Sequence, residues 1–209
     1  MLKVTEEAYP YLAIQRGEIN ELREFKDRFV LAYNETLIRD FGTMRPALPP
    51  RCRSLIDVGS GMGGIDIMLQ QHYGEECVVH LVDGLSDPPY HTVRADEKTF
   101  SNEQATRGFW FENGAYLTSV LDAAKREKFE PVEADLIISL FSWCFHYPPK
   151  LYLDWVVSCC HKETVVIVDL RKTSSKTRIM WQQDLEKPFR PIQVLWNRPK
   201  FIRVAWVLR

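Results

Sequence analysis

Glycine placement offers the first chemistry in this chain. Gly59, Gly61, Gly63 and Gly64 follow directly on a short apolar run, residues 55–58, that carries one carboxylate, Asp57. Ile65, Met68 and Leu69 then fall at helical spacing. The pattern reads as a buried parallel strand, a glycine turn and a helix. Such glycines permit a turn that side chains forbid and let backbone lie against a ligand. The opening helix adds N–H groups and the positive end of its dipole. A nucleotide-like ligand suits this arrangement. Gly59, Gly61 and Gly64 satisfy the G-x-G-x-x-G dinucleotide spacing, and Asp57, Gly59, Gly61 and Gly63 also satisfy an acid-x-Gly-x-Gly-x-Gly spacing.

Two further sets of residues stand where such a ligand would use them. Residues 75–82 read as a second buried strand ending at Asp83-Gly84, about twenty residues past the turn. A Rossmann-like fold sets a carboxylate there to accept both ribose hydroxyls, and aspartate is short and acceptor-only. Residues 135–140 read as a later buried strand containing Ser139. Phe141, Ser142, Trp143, Phe145, His146 and Tyr147 follow it, stopped by Pro148 and Pro149. Ligands of open α/β sheets bind outside the carboxyl ends of the strands, so this cluster should face the glycine loop. Trp143, Phe145 and Tyr147 are candidate walls for a flat or sugar-like acceptor. His146 is the candidate general base, because imidazole takes a hydroxyl proton near neutral pH. The plainer alternatives are a strand-ending turn at Asp83, a histidine holding a loop carbonyl, and rings that only pack.

The acid-x-Gly-x-Gly-x-Gly turn at a strand end resembles the first motif of class I S-adenosylmethionine-dependent methyltransferases. The resemblance spans roughly residues 50–209. It implies a Rossmann-like three-layer α/β/α fold: a mostly parallel seven-stranded sheet with an antiparallel C-terminal strand, plus N-terminal helices. It implies S-adenosyl-L-methionine as cofactor, with Asp57, Gly59, Ser60, Gly61, Met62 and Gly63 around the methionine end and Asp83 and Gly84 at the ribose. Asn113, after a third strand at 108–111, would meet the adenine edge, and Ser139 would close the site from the fourth strand. Methyl transfer would take place over the aromatic cluster, whose rings suit a sulfonium cation. The expected activity is methylation of a hydroxyl on a small molecule such as a sugar or phenol. The run 141–147 is also similar to small bacterial methyltransferases grouped with sugar O-methyltransferases. Asp87-Pro88-Pro89-Tyr90 copies the D-P-P-Y box of adenine amino-group methyltransferases. It follows the second strand instead of the fourth, so it reads as a proline turn and carries no DNA-methylation role.

The rest of the chain must position these groups. Ile19, Leu22, Phe25, Phe29 and Tyr33 recur at helical steps and predict an amphipathic helix to about residue 41, ended by Gly42, Pro46, Pro49 and Pro50. This gives an N-terminal helical cover, 1–49, and a ligand-binding domain, 50–209. Helices are expected at 116–128, 152–160 and 174–185, the last capped by Ser174 or Ser175, and a fifth strand at 164–170. Two closing strands flank residues 197–200, an ending unusual for dinucleotide dehydrogenases but similar to the methyltransferase sheet. Asp169 invites comparison with magnesium-dependent catechol-type enzymes. The fourth strand ends in Ser139 and Ser142, not an acid, so no metal is expected. Arg171 and Lys172 are candidates to steer an anionic acceptor.

Composition narrows the classes. The chain has 209 residues, 45% hydrophobic, and a net charge of −1, which makes nucleic acid an unexpected partner. No apolar run reaches membrane-spanning length and the N-terminus lacks a signal-peptide core. Five cysteines without a C-x-x-C pair suggest neither a disulfide framework nor a zinc site, and a reduced cytoplasmic setting is expected. Three other readings stay open. One is an NAD-dependent oxidoreductase. Another is an RNA or protein methyltransferase, which would need a basic face. The third is a non-catalytic relative that binds a partner.

Overall fold

The computed structural model describes residues 1–15, 19–22, 24–85, 101–172 and 175–209. The D-P-P-Y box and Ser174 lie outside them, and the side chain of Ser175 is likewise not described. Seven strands form one sheet: β1 Ser54–Val58, β2 Val78–Asp83, β3 Ser119–Asp122, β4 Ala134–Ser139, β5 Cys160–Arg171, β6 Phe189–Asn197 and β7 Phe201–Leu208. Their order is β3-β2-β1-β4-β5-β7-β6. Strands β1 to β5 run parallel, and β7 pairs antiparallel with both β5 and β6. The sheet is the one expected, with the last strand inserted beside the fifth. Strand order reverses between β1 and β4, which places a crevice at the carboxyl ends of these strands.

Helices α1 Tyr9–Gln15, α2 Lys26–Met44, α3 Gly64–Tyr73, α4 Glu103–Glu112, α5 Leu153–Cys159 and α6 Ser175–Glu186 complete the order. Leu55, Ile67, Leu81 and Ile138 belong to a core on one face, shared with Phe29 and Leu37 of α2. Ile56, Ile137, Val166 and Trp206 belong to a second core on the other face. Both faces of the central strands are therefore buried, which explains their continuous apolar runs.

Three local expectations are corrected. Helix α2 starts only at Lys26 and runs through Gly42 to Met44; one exposed glycine costs a helix roughly 1 kcal/mol, less than its packing returns. Residues 108–111 are not a strand but the end of α4. Asn102 caps that helix by accepting from the Ala105 N–H (3.0 Å), and Ala105, Thr106, Phe109 and Trp110 form its buried stripe. Residues 116–128 are not a helix: they hold β3 and a 3-10 turn, Ala123–Lys128. As a half-buried edge strand, β3 shows no strong apolar alternation.

Candidate functional site

The glycine turn takes its shape from β1 and β2. Gly59 and Ser60 N–H groups donate to the Val82 carbonyl at 2.7 and 3.2 Å, folding the chain back over the end of β2. Gly59 (φ +81°) and Gly63 (φ +71°) are left-handed. A Cβ on Gly59 would lie 1.7 Å from the Ser142 Oγ, so the turn and the loop after β4 are in direct contact. The expectation that this loop faces the glycines is met at this point. A Cβ on Gly64 would lie 2.0 Å from the Tyr33 hydroxyl, which shows how closely α2 covers the start of α3. Among the described residues the N–H groups of Met62, Gly64 and Ile65 have no protein acceptor. They are the donors that the start of α3 leaves open.

Asp83 ends β2 and accepts a hydrogen bond from the Gly61 N–H. The Gly84 N–H and the buried Ser101 hydroxyl lie near enough to the same carboxylate to favour its charged form. It keeps part of its surface open yet is enclosed on most sides, and this burial pushes its carboxyl up to about 6 against the pull of those donors. Beside it, at the paired register position, Asp122 ends β3. Asp122 accepts from Ala124 N–H at 3.1 Å and lies 3.7 Å from the Lys125 ammonium. Tyr147 and Tyr152 lie within electrostatic reach of Asp83. Burial raises both phenols, Tyr152 to about 12, so both stay protonated at neutral pH.

Under the turn, Asp57 of β1 and Asp66 in the first turn of α3 are both buried and close enough for each carboxyl to feel the other. Burial pushes the Asp66 carboxyl up to about 7, against the opposing influence of Asp57. Two carboxyl groups this close share a proton more readily than they both ionise.

The other predicted residues divide. Met62 turns its side chain away from the crevice: its Sδ receives the Thr106 hydroxyl (3.3 Å) and its carbonyl the Trp110 indole (3.1 Å). Ser139 is a buried clamp, donating to the Val58 carbonyl (2.6 Å) and accepting from Trp143 N–H (2.9 Å). Trp143 is fully buried in the second core with its indole on the Pro149 carbonyl (2.9 Å), so it packs instead of walling a pocket. Asn113 sits after α4, bonded to Lys3 N–H and C=O at 2.8 and 2.9 Å. Its side chain ties down the N-terminus, and the position at the end of the third strand belongs to Asp122. Phe145 is half-buried and His146 exposed, their rings 4.8 Å apart. Phe141 (φ +59°) and Cys144 (φ +66°) hold left-handed backbone without being glycine, a strain of about 1–2 kcal/mol each that marks this loop.

Sequence reasoning missed Asp122, because β3 was set one segment early, and Tyr152, which hides in an aromatic helix start. It also missed the Arg203 guanidinium, fully buried between Asp169 (2.8 and 2.9 Å) and Asp40 (3.2 Å), with Thr43 at 2.7 Å. The signal was present as a lone arginine in the apolar run of β7. Asp169, weighed as a metal ligand, is engaged bidentately by that guanidinium.

No family model matches the chain, and no curated protein resembles it in sequence. Solved structures do resemble it. A ribosomal protein L11 methylase from Lactobacillus delbrueckii subsp. bulgaricus superposes with a TM-score of 0.55 at 17% identity, covering 80% of this chain and 75% of that one. MtNAS in complex with S-adenosylmethionine gives 0.51 at 17%, covering 96% and 70%. The Methanococcus jannaschii fibrillarin pre-rRNA processing protein gives 0.51 at 10%, covering 76% and 67%. At these identities the likeness is one of fold, and the fold is the Rossmann-like sheet that these proteins share.

Proposed function

We propose that the protein binds S-adenosylmethionine over the carboxyl ends of β1, β2 and β3 and directs its methyl group to a hydroxyl of a small acceptor. The observation that carries this reading is Asp83, held against the Gly61 backbone at the end of β2. An acceptor-only carboxylate fixed beside a glycine turn suits a ribose diol, and the Met62, Gly64 and Ile65 N–H groups suit a carboxylate tail. The fold shared with the L11 methylase and with MtNAS supports the same cofactor.

On this reading Gly59, Gly61 and Gly63 admit the methionine end, Asp83 takes the ribose hydroxyls and Asp122 faces the base. The bound cofactor would supply a methyl already activated on sulfur. The chain's own task is then alignment and exclusion of water. His146, exposed at the tip of the strained loop, takes the acceptor's hydroxyl proton. Tyr147 and Tyr152, kept protonated, close the crevice beside Asp83.

Isothermal titration with S-adenosylhomocysteine, with NAD as control, tests the cofactor. Micromolar binding to the first alone is expected, weakened more than tenfold by Asp83→Ala. Binding to NAD alone would replace the reaction class, and binding to neither would favour a partner-binding role. His146→Ala should spare product binding and depress turnover; undiminished turnover removes His146 as base.

A further inference from the structure

The same edge of the sheet carries a second group of side chains, beyond β4 from Asp83. Lys172 N–H donates to the Lys200 carbonyl (2.8 Å), and the Lys172 ammonium bonds the Asn197 side chain and the Arg198 carbonyl. These bonds zip the end of β5 to the β6–β7 turn. The Arg171 guanidinium lies 5.3 Å from the Phe145 ring and that of Arg198 4.9 Å from Trp196. Phe201 joins the two rings through Phe141, at 4.8 Å from Phe141 and 5.3 Å from Trp196. Arg171, Arg198 and Lys200 are exposed. Among the described residues no carboxylate pairs with Arg171, Lys172, Arg198 or Lys200. The acids beneath, Asp40 and Asp169, are both spent on Arg203, leaving one net negative charge below four cations. A chain of net charge −1 thus concentrates positive charge and flat rings at one rim.

This rim adjoins the strained loop. His146 lies edge-on to Phe145 at 4.8 Å, and the Arg171 guanidinium lies 5.3 Å from the same ring. Phe141 and Cys144 of this loop are left-handed, and such strained backbone concentrates at binding sites.

We propose that this rim is the acceptor subsite and that the acceptor is a small anion, a phosphate or carboxylate borne beside a flat ring. Guanidinium forks bind both groups bidentately, and the ring lies along Phe145 and Trp196. As a subsite for methyl transfer it rests on the reading above; as an anion site it does not.

The test titrates phenyl phosphate, benzoate and neutral phenol into the full chain, with and without S-adenosylhomocysteine. We expect one anion to bind at least tenfold tighter than phenol, with an affinity that falls with salt. Arg171→Ala/Arg198→Ala, a pair of exposed positions, should weaken that anion at least tenfold while S-adenosylhomocysteine affinity stays unchanged. The tighter anion then names the group. Equal binding of phenol and both anions, or unchanged binding in the double variant, overturns the proposal. A ten-nucleotide single-stranded RNA binding more than a hundredfold tighter than phenyl phosphate also overturns it, in favour of a polynucleotide. Absence of S-adenosylhomocysteine binding would strike the cofactor reading alone, because the anion titrations are read independently.

Discussion

Asp83→Asn should stabilise the fold and damage binding at once, with a pH dependence set by one carboxyl. Burial holds Asp83 at about 6, from an ordinary value of 3.8. A shift of about two pH units corresponds to about 3 kcal/mol between protonation states. The folded value is raised, so the favourable contribution of Asp83 is full below 3.8 and is lost as pH rises through about 6. At pH 8 the ionised side chain therefore burdens the fold. Asparagine carries no charge to bury, but it offers one oxygen where the carboxylate offers two. The Gly61 N–H is bonded to one of those oxygens, and an amide turned the wrong way leaves it without an acceptor, a cost of about 1–2 kcal/mol. Partial solvent access trims the gain further. The net expectation is about 1–2 kcal/mol of stabilisation at pH 8, vanishing or reversed at pH 5, where wild-type Asp83 is already protonated. Urea unfolding of both proteins at pH 5, 6, 7 and 8 measures it, and taking differences cancels Asp66 and His80. A difference that is flat with pH, or that grows toward acid, would refute the reasoning and leave Asp83 as a plain anchor for the turn. The same variant should bind S-adenosylhomocysteine at least tenfold more weakly, the trade-off expected where an unfavourable charge is kept for a ligand.

Other perturbations probe the supports. Asp66→Asn removes a carboxyl raised to about 7; by the same sign it should gain stability mainly above pH 7, read by the same unfolding series. Gly59→Ala combines a left-handed residue with a clash on Ser142; it should lose cofactor affinity and at least about 1–2 kcal/mol, and Gly59→Ala/Ser142→Gly should recover only the part due to the clash. Arg203→Met strands Asp169 and Asp40 in the core and should cost about 3–5 kcal/mol, whereas Arg203→Met/Asp169→Leu/Asp40→Leu should recover much of it in thermal unfolding.

The sheet was legible because burial writes itself into composition. Residues 55–58, 135–140 and 164–170 are apolar on both faces, and only a parallel sheet covered by helices needs that. The glycine turn was legible because positive φ restricts residue type. What failed to show was the edge. Strand β3 has half-buried residues throughout and a short length, so its own sequence supplied no period, while the neighbouring Phe109-Trp110-Phe111 mimicked a strand. Here the helical stripe Ala105, Thr106, Phe109 and Trp110 was the truer signal, since Phe111 is exposed at 79%. Moving β3 moved the candidate base contact from Asn113 to Asp122. Within the site, residue type told the chemistry a side chain was able to do but not which way it pointed. Met62, Ser139 and Trp143 all sit next to the crevice in sequence, yet each is turned inward and spent on the scaffold.

That inward set explains how a strained loop can persist at all. The loop after β4 carries two non-glycine residues at positive φ and folds back on itself, with Cys144 N–H donating to the Tyr147 carbonyl (2.8 Å) and His146 N–H to the Ser142 carbonyl (2.7 Å). Contacts from outside add to these: Ser139 ties Trp143 to β1, Arg171 N–H reaches the Cys144 carbonyl at 3.2 Å, and Ser142 presses on Gly59. Two of these ties run to the end of β1 and one to the end of β5, so the loop is fastened to both neighbours of β4. The rings of Phe141 and Phe145 and the imidazole of His146 thereby stand on a loop tied to the ends of β1, β4 and β5. The more such ties fix the rings beforehand, the less ordering cost falls on the binding of a ligand.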